Sequence, residues 1–501
     1  MSDILHTPDI PDTLHTSNKQ VNRPTFAVTT LGCKVNQADS EAISEQMSNA
    51  GYVQRDFNEP ADVYIVNTCT VTHLGDRSSR TLISQAHRRH PDALLVVTGC
   101  YAERSPSDVA ALAGVDLVIG NTQKDALVDV IIHHQQTQPA LRTSETDNTL
   151  NMPVQKRPLL PLIDQQHIGS DETLQNALLE PQPDNPSSLL STLSESSATT
   201  RFTSRTRVQM KVQDGCDNRC TYCIVPTVRG HSRSRSIASV VEQVQRKTRL
   251  GYQEVVLTGI HLGDYHPDAD EHLDLGHLID ALLRETDIPR IRVSSLEPED
   301  FRLEWLDLWS NPRMCRHLHL PMQSGSDAIL RRMARRYISA RYDTIVTEAK
   351  RLVPGIAIST DIITGFPGET DEDFEQTFQL ATKLQFAKSH VFRFSPRQGT
   401  AAARMKGQIR DEVKKARSER LLALHEDHSR LFRQQFLGET VEVLVEHPRH
   451  DKWEGLTDNY VRVELHDLPQ LPSPTTTWQH SLIKARLTHL VDDGVYGVYN
   501  A

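Results

Sequence analysis

Three cysteines stand close together in KVQDGCDNRCTYCIVP, at positions 216, 220 and 223. Their spacing, C-x3-C-x2-C, lets one short loop wrap three thiolates around one face of an iron–sulfur cubane, and thiolates are the usual protein ligands of such clusters. Three ligands leave one iron with an open position, which separates a catalytic metal site from a closed structural one. A zinc ribbon would require a second cysteine pair, and a bacterial-type ferredoxin would read C-x2-C-x2-C.

Cys33, Cys69 and Cys100 are unrelated by spacing, but each follows an expected strand by a few residues, in FAVTTLGC, VYIVNTC and LLVVTGC. Ligands of an open parallel sheet gather at the carboxyl ends of its strands. Three such loops bring three thiolates into one pocket, and Gly32 and Gly99 let the backbone pass close to a bulky cluster. The alternatives are three small buried hydrophobes or a zinc ion completed by His73. Cys315, the seventh cysteine, reads as a buried structural thiol.

The elements that must position these residues follow from periodicity. In residues 25–134, FAVTT (26–30), DVYIVN (62–67), ALLVVT (93–98) and VDLVIG (115–120) are expected strands with amphipathic helices between them, which implies an open parallel sheet. From 201 to 436 the alternation resumes. Strands are expected at 207–212, 254–259, 290–295, 317–320, 356–363 and 389–394, giving a partial (β/α)6 barrel followed by a helix over 409–436. The tail, 437–501, shows period-two alternation in TVEVLVE, YVRVEL, SLIKARLTHL and GVYGVY, the pattern of a small antiparallel β-barrel. Residues 1–24 and the Ser-, Pro- and Gln-rich stretch 135–200 are expected to be disordered. The fold class is thus α/β with a small all-β tail.

At 501 residues the chain allows about three domains of roughly 150 residues each. No apolar run approaches the ~20 residues that cross a bilayer, and no basic and apolar leader opens the sequence. The expectation is a cytoplasmic protein without membrane association. An odd count of cysteines in a reducing compartment favours metal use over disulfides. The formal charge of −10 argues against a non-specific nucleic-acid coat but leaves local basic patches to act.

The C-x3-C-x2-C loop after the first barrel strand resembles the radical S-adenosylmethionine (SAM) superfamily. Together with TLGCKVNQADSE, NTCTVTHLGDRSSR, VTGCYAE, VRGHSRSR, LTGIHLGDY, VSSLEP, HLHLPMQSGSD, TDIITGFPGET and FSPRQGTAA, it resembles the methylthiotransferases over about 25–134 and 206–500. TLGCKVNQ is similar to the branch acting on threonylcarbamoyladenosine in tRNA. The resemblance implies two 4Fe–4S clusters and SAM. One cluster would sit on Cys216, Cys220 and Cys223 and bind SAM, and an auxiliary one on Cys33, Cys69 and Cys100 would deliver sulfur. The implied reaction converts N6-threonylcarbamoyladenosine at position 37 of tRNA to its 2-methylthio derivative. The implied partners are tRNA and an electron donor such as flavodoxin or ferredoxin, with no DNA. Alternatives are isopentenyladenosine-37 or a ribosomal protein as substrate, or a non-catalytic RNA-binding iron–sulfur redox protein.

No catalytic side chain beyond the cluster ligands is expected. Barrel active sites lie at the carboxyl ends of the strands, so Thr258, Gly259, His261, Ser294, Ser295, Glu297, Gln323, Ser324, Asp361, Thr364 and Gly365 are candidate cofactor contacts. Gly259, Ser295, Glu297, Gln323 and Asp361 are retained for SAM, with Tyr222 against its adenine or else in the core. The superfamily's Gly-Gly-Glu is replaced here by Gly259-Ile260-His261. Arg229, Arg233 and Arg235 are candidate RNA contacts, and Arg331, Arg332, Arg335, Arg336 and Arg341 form a second basic cluster. The tail resembles the TRAM RNA-binding barrel. It would act through Arg449, Lys452, Arg462, Lys484 and Arg486, or by stacking on Trp453 and Tyr460, or it would dock on the central barrel.

Overall fold

The computed structural model describes residues 23–137, 206–267, 272–449, 452–469 and 477–500. The disorder expected for 1–24 and 135–200 therefore lies almost wholly outside the described residues, although a helix, Leu127–Thr137, runs past the expected boundary at 134.

The first unit is a five-stranded sheet of β1 (Thr25–Thr30), β2 (Val53–Gln54), β3 (Val63–Thr68), β4 (Leu94–Gly99) and β5 (Leu117–Ile119), in the order β2-β1-β3-β4-β5. Every pairing is parallel. β3 and β4 are buried at every position, as unbroken apolar strands covered on both faces must be. Phe26, Ile65 and Val96 pack on one face with Leu127 and Ile131, and Tyr64, Val66 and Val97 pack on the other with Tyr101. The helices α1 (Lys34–Asn49), α2 (His73–Arg89) and α3 (Cys100–Arg104) leave the carboxyl ends of β1, β3 and β4. Those three strands are neighbours. The two-residue β2 was not expected, being too short to leave a periodic signal.

The central unit has the six expected strands: β6 (Val208–Lys211), β9 (Glu254–Thr258), β10 (Arg290–Val293), β11 (His317–His319), β12 (Ala357–Thr364) and β13 (Lys388–Arg393). All their pairings are parallel. Cys315 N–H donates to Ile291 O at 2.9 Å and Leu296 N–H to His319 O at 2.9 Å, joining the two three-stranded halves into a partial barrel. β6 and β13 are its free edges. α1 packs against β6 and the helix Asp411–Gln434 against β13, which covers both rows of unpaired backbone groups. A short antiparallel ribbon of β7 (Gln213–Asp214) and β8 (Arg233–Ser234) brackets the cysteine loop.

The tail closes into a barrel of β14 (Thr440–Arg449), β15 (Lys452–Thr457), β16 (Arg462–His466), β17 (Leu482–Val491) and β18 (Gly494–Tyr499), ordered β14-β15-β16-β18-β17. This corrects the expectation of an antiparallel barrel in two respects. A fifth strand, β15, is present, and β16 pairs with β18 in parallel. The two go together, because a closed ring with an odd number of strands cannot alternate direction all the way round.

This barrel docks beneath the central one, at the amino ends of its strands. Arg290 donates to Glu442 O at 2.8 Å, Arg292 to Asp458 O at 2.7 Å, and Arg316 Nε pairs with Asp458 at 2.6 Å. Tyr460 lies 3.8 Å beneath the Arg292 guanidinium and edge-on to His317. It therefore serves docking rather than base stacking. Among the described residues, no helix is long and apolar enough to cross a membrane.

Candidate active site

The loop carrying Cys216, Cys220 and Cys223 starts at a turn that only glycine allows. Gly215 has φ +76°, and a Cβ there would lie 1.8 Å from His231 O. Gln213, buried just before it, donates to Gly215 O at 2.9 Å and to Ser232 Oγ at 2.9 Å, and it accepts from His261 N–H at 2.8 Å. Cys216 N–H donates to Gly230 O, and Thr221 O accepts from Ala402 N–H at 2.8 Å. The loop is thus pinned from both sides of the barrel mouth.

Each of the three thiols has a polar neighbour. Val225 N–H lies 3.4 Å from Cys223 Sγ. Arg335 Nη1 lies 3.3 Å from Cys220 Sγ. The buried His261 contacts Cys216 and holds Asp300 at 2.6 Å through Nε2. Burial alone would lower the His261 pKa, but the Asp300 carboxylate and Cys216 outweigh it and raise the imidazole to about 10. Burial, then Cys220 and Cys216, push the Cys223 thiol up to about 12. Such crowded thiols ionise readily only against a cation, which is what cluster iron supplies.

The second triad sits where the strand order puts it, on adjacent loops after β1, β3 and β4. Gly32 has φ +98°, and a Cβ there would lie 2.9 Å from Cys69 Sγ. At Gly99, φ is +97° and a Cβ would lie 2.4 Å from Thr68 O. Burial raises the Cys69 thiol, and Cys100 and Cys33 raise it further, so the three groups feel one another. Among the described residues no three His, Cys, Asp or Glu side chains converge tightly enough for a single ion. A cubane asks for less, since each thiolate binds a different iron. The triad fits that demand; the His73 side chain, the alternative zinc ligand, lies outside the described residues.

The two triads meet at one junction. Cys100 packs against Ile224 and Val228, the residues that follow Cys223. Asn121 Nδ2 donates to Val228 O at 2.7 Å and lies 3.7 Å from Cys100 Sγ. Arg229, 2% exposed, reaches from the barrel to Asp39 at 3.2 Å and Asp214 at 2.9 Å, and donates to Asn36. Lys124 and Lys211 also bind Asp39, at 2.8 and 2.5 Å. Burial alone would raise the Asp39 pKa; Lys124, Lys211 and Arg229 reverse that and hold it far below the usual carboxylate range. Arg397, in the loop after β13, binds Thr70 Oγ1 at 2.7 Å and Asp76 at 3.0 Å. The helix after Cys33, the loop after Cys69 and Cys100 itself are therefore all in contact with the central barrel.

The other candidate residues divide. Arg229 is corrected as an RNA contact: it is enclosed in the ion cluster just described. Arg235 is likewise turned inward, to Gln243 at 2.9 Å and Ser239 at 2.5 Å, while Arg233 is exposed. Glu297 pairs with Arg335 through Oε2. Gln323, at φ +59°, donates its N–H to Asp361 O at 2.8 Å, so those two candidates are adjacent, with His319 3.4 Å from the Asp361 carboxylate. Ser295 bridges to His319, and Gly259 packs on Gln213. Tyr222 lies edge-on to Phe366 in a cluster with Ile329 and Met333, the core alternative. The hydroxyls of Thr258, Ser324 and Thr364 are engaged by Val256 O, Thr377 Oγ1 and Phe392 O. Cys315 is buried, and burial first of all raises its thiol to about 12. In the tail, Lys452 and Arg462 are paired with Glu464 and Glu454. The contacts of Asn121, Arg335 and Arg397 with the cysteine loops escaped sequence reasoning, since each partner is distant in the chain.

Comparison with known proteins agrees with this architecture. Residues 25–120 match the Uncharacterized protein family UPF0004, and residues 210–381 the Radical SAM superfamily. The chain is 36% identical to the threonylcarbamoyladenosine tRNA methylthiotransferase MtaB of Bacillus subtilis, over 88% of this chain and 90% of that protein. It is 35% identical to the protein of the same name from Thermotoga maritima, over 84% and 86%. It is 31% identical to the tRNA-2-methylthio-N(6)-dimethylallyladenosine synthase of Methylacidiphilum infernorum, over 84% of each chain. A parallel sheet bearing one cysteine triad, a partial barrel bearing the other, and relatives matched along nearly their whole length all agree: the chain belongs to the radical-SAM methylthiotransferases, in the branch that carries the MtaB name.

Proposed function

We propose that this protein converts N6-threonylcarbamoyladenosine at position 37 of tRNA to its 2-methylthio derivative, in the cytoplasm, with flavodoxin or ferredoxin as electron donor. The observation that carries the reading is the packing of Cys100 against Ile224 and Val228, one and five residues after Cys223. One base can reach both triads only if they share a pocket. The substrate branch is supported by the MtaB-named relatives, at 36% and 35% identity against 31% for the dimethylallyladenosine enzyme.

Cys216, Cys220 and Cys223 would hold the cluster that binds SAM, and Cys33, Cys69 and Cys100 the auxiliary cluster. When bound, these groups and SAM supply radical formation and the transfer of sulfur and methyl, chemistry that no side chain can perform on an aromatic C–H bond. The chain itself positions and insulates. Gly215 sets the turn of the first loop, and Gln213 fixes the His261 backbone. His261 is held through Nε2 by Asp300 and lies beside Cys216. Arg335 presents positive charge to Cys220. Gln323 and Asp361, with Ser295 and Gly259, offer polar groups at the barrel mouth for SAM, and Arg233 stays exposed for a phosphate.

Mass spectrometry of tRNA nucleosides from a deletion strain tests the assignment. The 2-methylthio derivative of threonylcarbamoyladenosine is expected to vanish and return with the wild-type gene, but not with Cys69→Ala. Its persistence in a strain with no other such enzyme would refute the substrate. An iron–sulfur protein without catalysis would release no 5′-deoxyadenosine from SAM after reduction with dithionite.

A further inference from the structure

Resting on that reading, we propose that the cavity beside Cys220 is the docking surface for a small acidic one-electron carrier protein. The cavity, about 510 Å³, is lined by Arg331, Arg335, Arg336 and Arg341, with Glu299, Asp327, Tyr337 and Ile338 completing its wall. Arg335 connects it to the site, because the same side chain lines the cavity and puts Nη1 3.3 Å from Cys220 Sγ. A single side chain therefore separates an open surface from a thiol of the SAM-binding triad.

The chemistry of the rim selects the partner. Arg331, Arg336 and Arg341 are exposed. Arg331 and Arg341 have no carboxylate partner among the described residues, and Arg336 shares Asp300 at 3.3 Å. Three exposed guanidinium groups stand here among Glu299, Asp300 and Asp327 on a chain of net charge −10, and clustered exposed arginines are the groups that steer an acidic partner and raise its on-rate. Ile338, 54% exposed at the same rim, adds the apolar contact that a brief protein complex needs. A nucleic acid would also meet arginines. The reacting base, however, must reach the junction where Cys100 meets Ile224 and Val228, and this cavity opens beside a different member of the triad. The step is plain electron transfer: the carrier loses one electron and the oxidised cluster gains it. No bond forms or breaks.

The test uses the full chain carrying Cys33→Ala, Cys69→Ala and Cys100→Ala, so that only one reconstituted cluster reports. Reduction by flavodoxin hydroquinone is followed by rapid mixing and electron paramagnetic resonance, in that parent and with Arg331→Glu and Arg341→Glu added. The expected result is at least a tenfold fall in the second-order rate, and a parent rate that drops with added salt. The signal produced by dithionite at equilibrium should be unchanged. Arg331→Gln with Arg341→Gln, equal to the parent in thermal unfolding, should fall between the two. An unchanged flavodoxin rate in both variants would overturn the proposal. So would weakened tRNA binding with a normal flavodoxin rate, which would give the surface to RNA. A parent cluster that dithionite cannot reduce would instead sink the functional reading itself.

Discussion

Arg229 and Asp39 lie 190 residues apart and meet inside the protein. Asp39 answers three cations at once, Lys124, Lys211 and Arg229, so Asp39→Asn leaves buried positive charge facing itself. Removing one partner of a buried pair costs about 3–5 kcal/mol. Urea unfolding of the variant should show a loss of that order, and limited proteolysis should cut between the first unit and the barrel before either is degraded. The motif VRGHSRSR marks Arg229 as a basic residue beside a cluster loop, but nothing local reveals that its counter-ion belongs to another domain. Cys216, Cys220 and Cys223 were legible because their relation is local. Cys33, Cys69 and Cys100 were legible because strand ends share one edge of a parallel sheet.

The elements decide how tightly the cysteine loops are drawn. The turn from β4 into α3 requires Gly99, where φ is +97° and an added Cβ would meet Thr68 O at 2.4 Å. Gly99→Ala is expected to displace Cys100, lowering reconstituted iron to about half, from two cubanes to one, while SAM cleavage persists. Iron analysis and SAM turnover check both halves of that statement. On the opposite edge, the helix Asp411–Gln434 covers β13, and Ser389 N–H donates to His425 Nδ1 at 3.2 Å. Burial first, then Lys388 and His390, lower the His425 pKa to about 4. Unfolded histidine titrates near about 6.5, so between those values the unfolded chain binds the extra proton. Stability is then full above about pH 6.5 and declines as pH falls toward 4. Thermal unfolding should show that slope, and His425→Gln should reduce it without abolishing it, since burial lowers His390 and His428 as well. Strands with a clear apolar run were legible. β2, β7 and β8 span two residues each, too few for any period to register.

In the whole molecule, the β-barrel tail closes the end of the central barrel opposite the two triads. Glu254 and Arg292, both with no exposed side-chain surface, lie at that seam, and Arg290 and Arg292 also hold backbone carbonyls of the tail. Glu254→Gln should cost about 3–5 kcal/mol, seen in calorimetry as a lower and earlier transition for the tail. The sequence suggested a module that either binds RNA or docks. The positions of Tyr460 and Asp458 show docking, which no residue pattern within the tail could reveal, because the deciding partners are Arg292 and Arg316. The ties between the cysteine loops and the barrel also bear on synthesis of the chain. Residues 25–137 leave the ribosome first and can form their sheet, but the walls around their thiols arrive with Ile224, Val228 and Arg397. At ~5–20 residues per second, the roughly 300 residues from Cys100 to Arg397 take about 15–60 s to make. Through that interval the segment after Cys69 lacks its Arg397 tie, so the first unit and the barrel lock together only after most of the chain has been made.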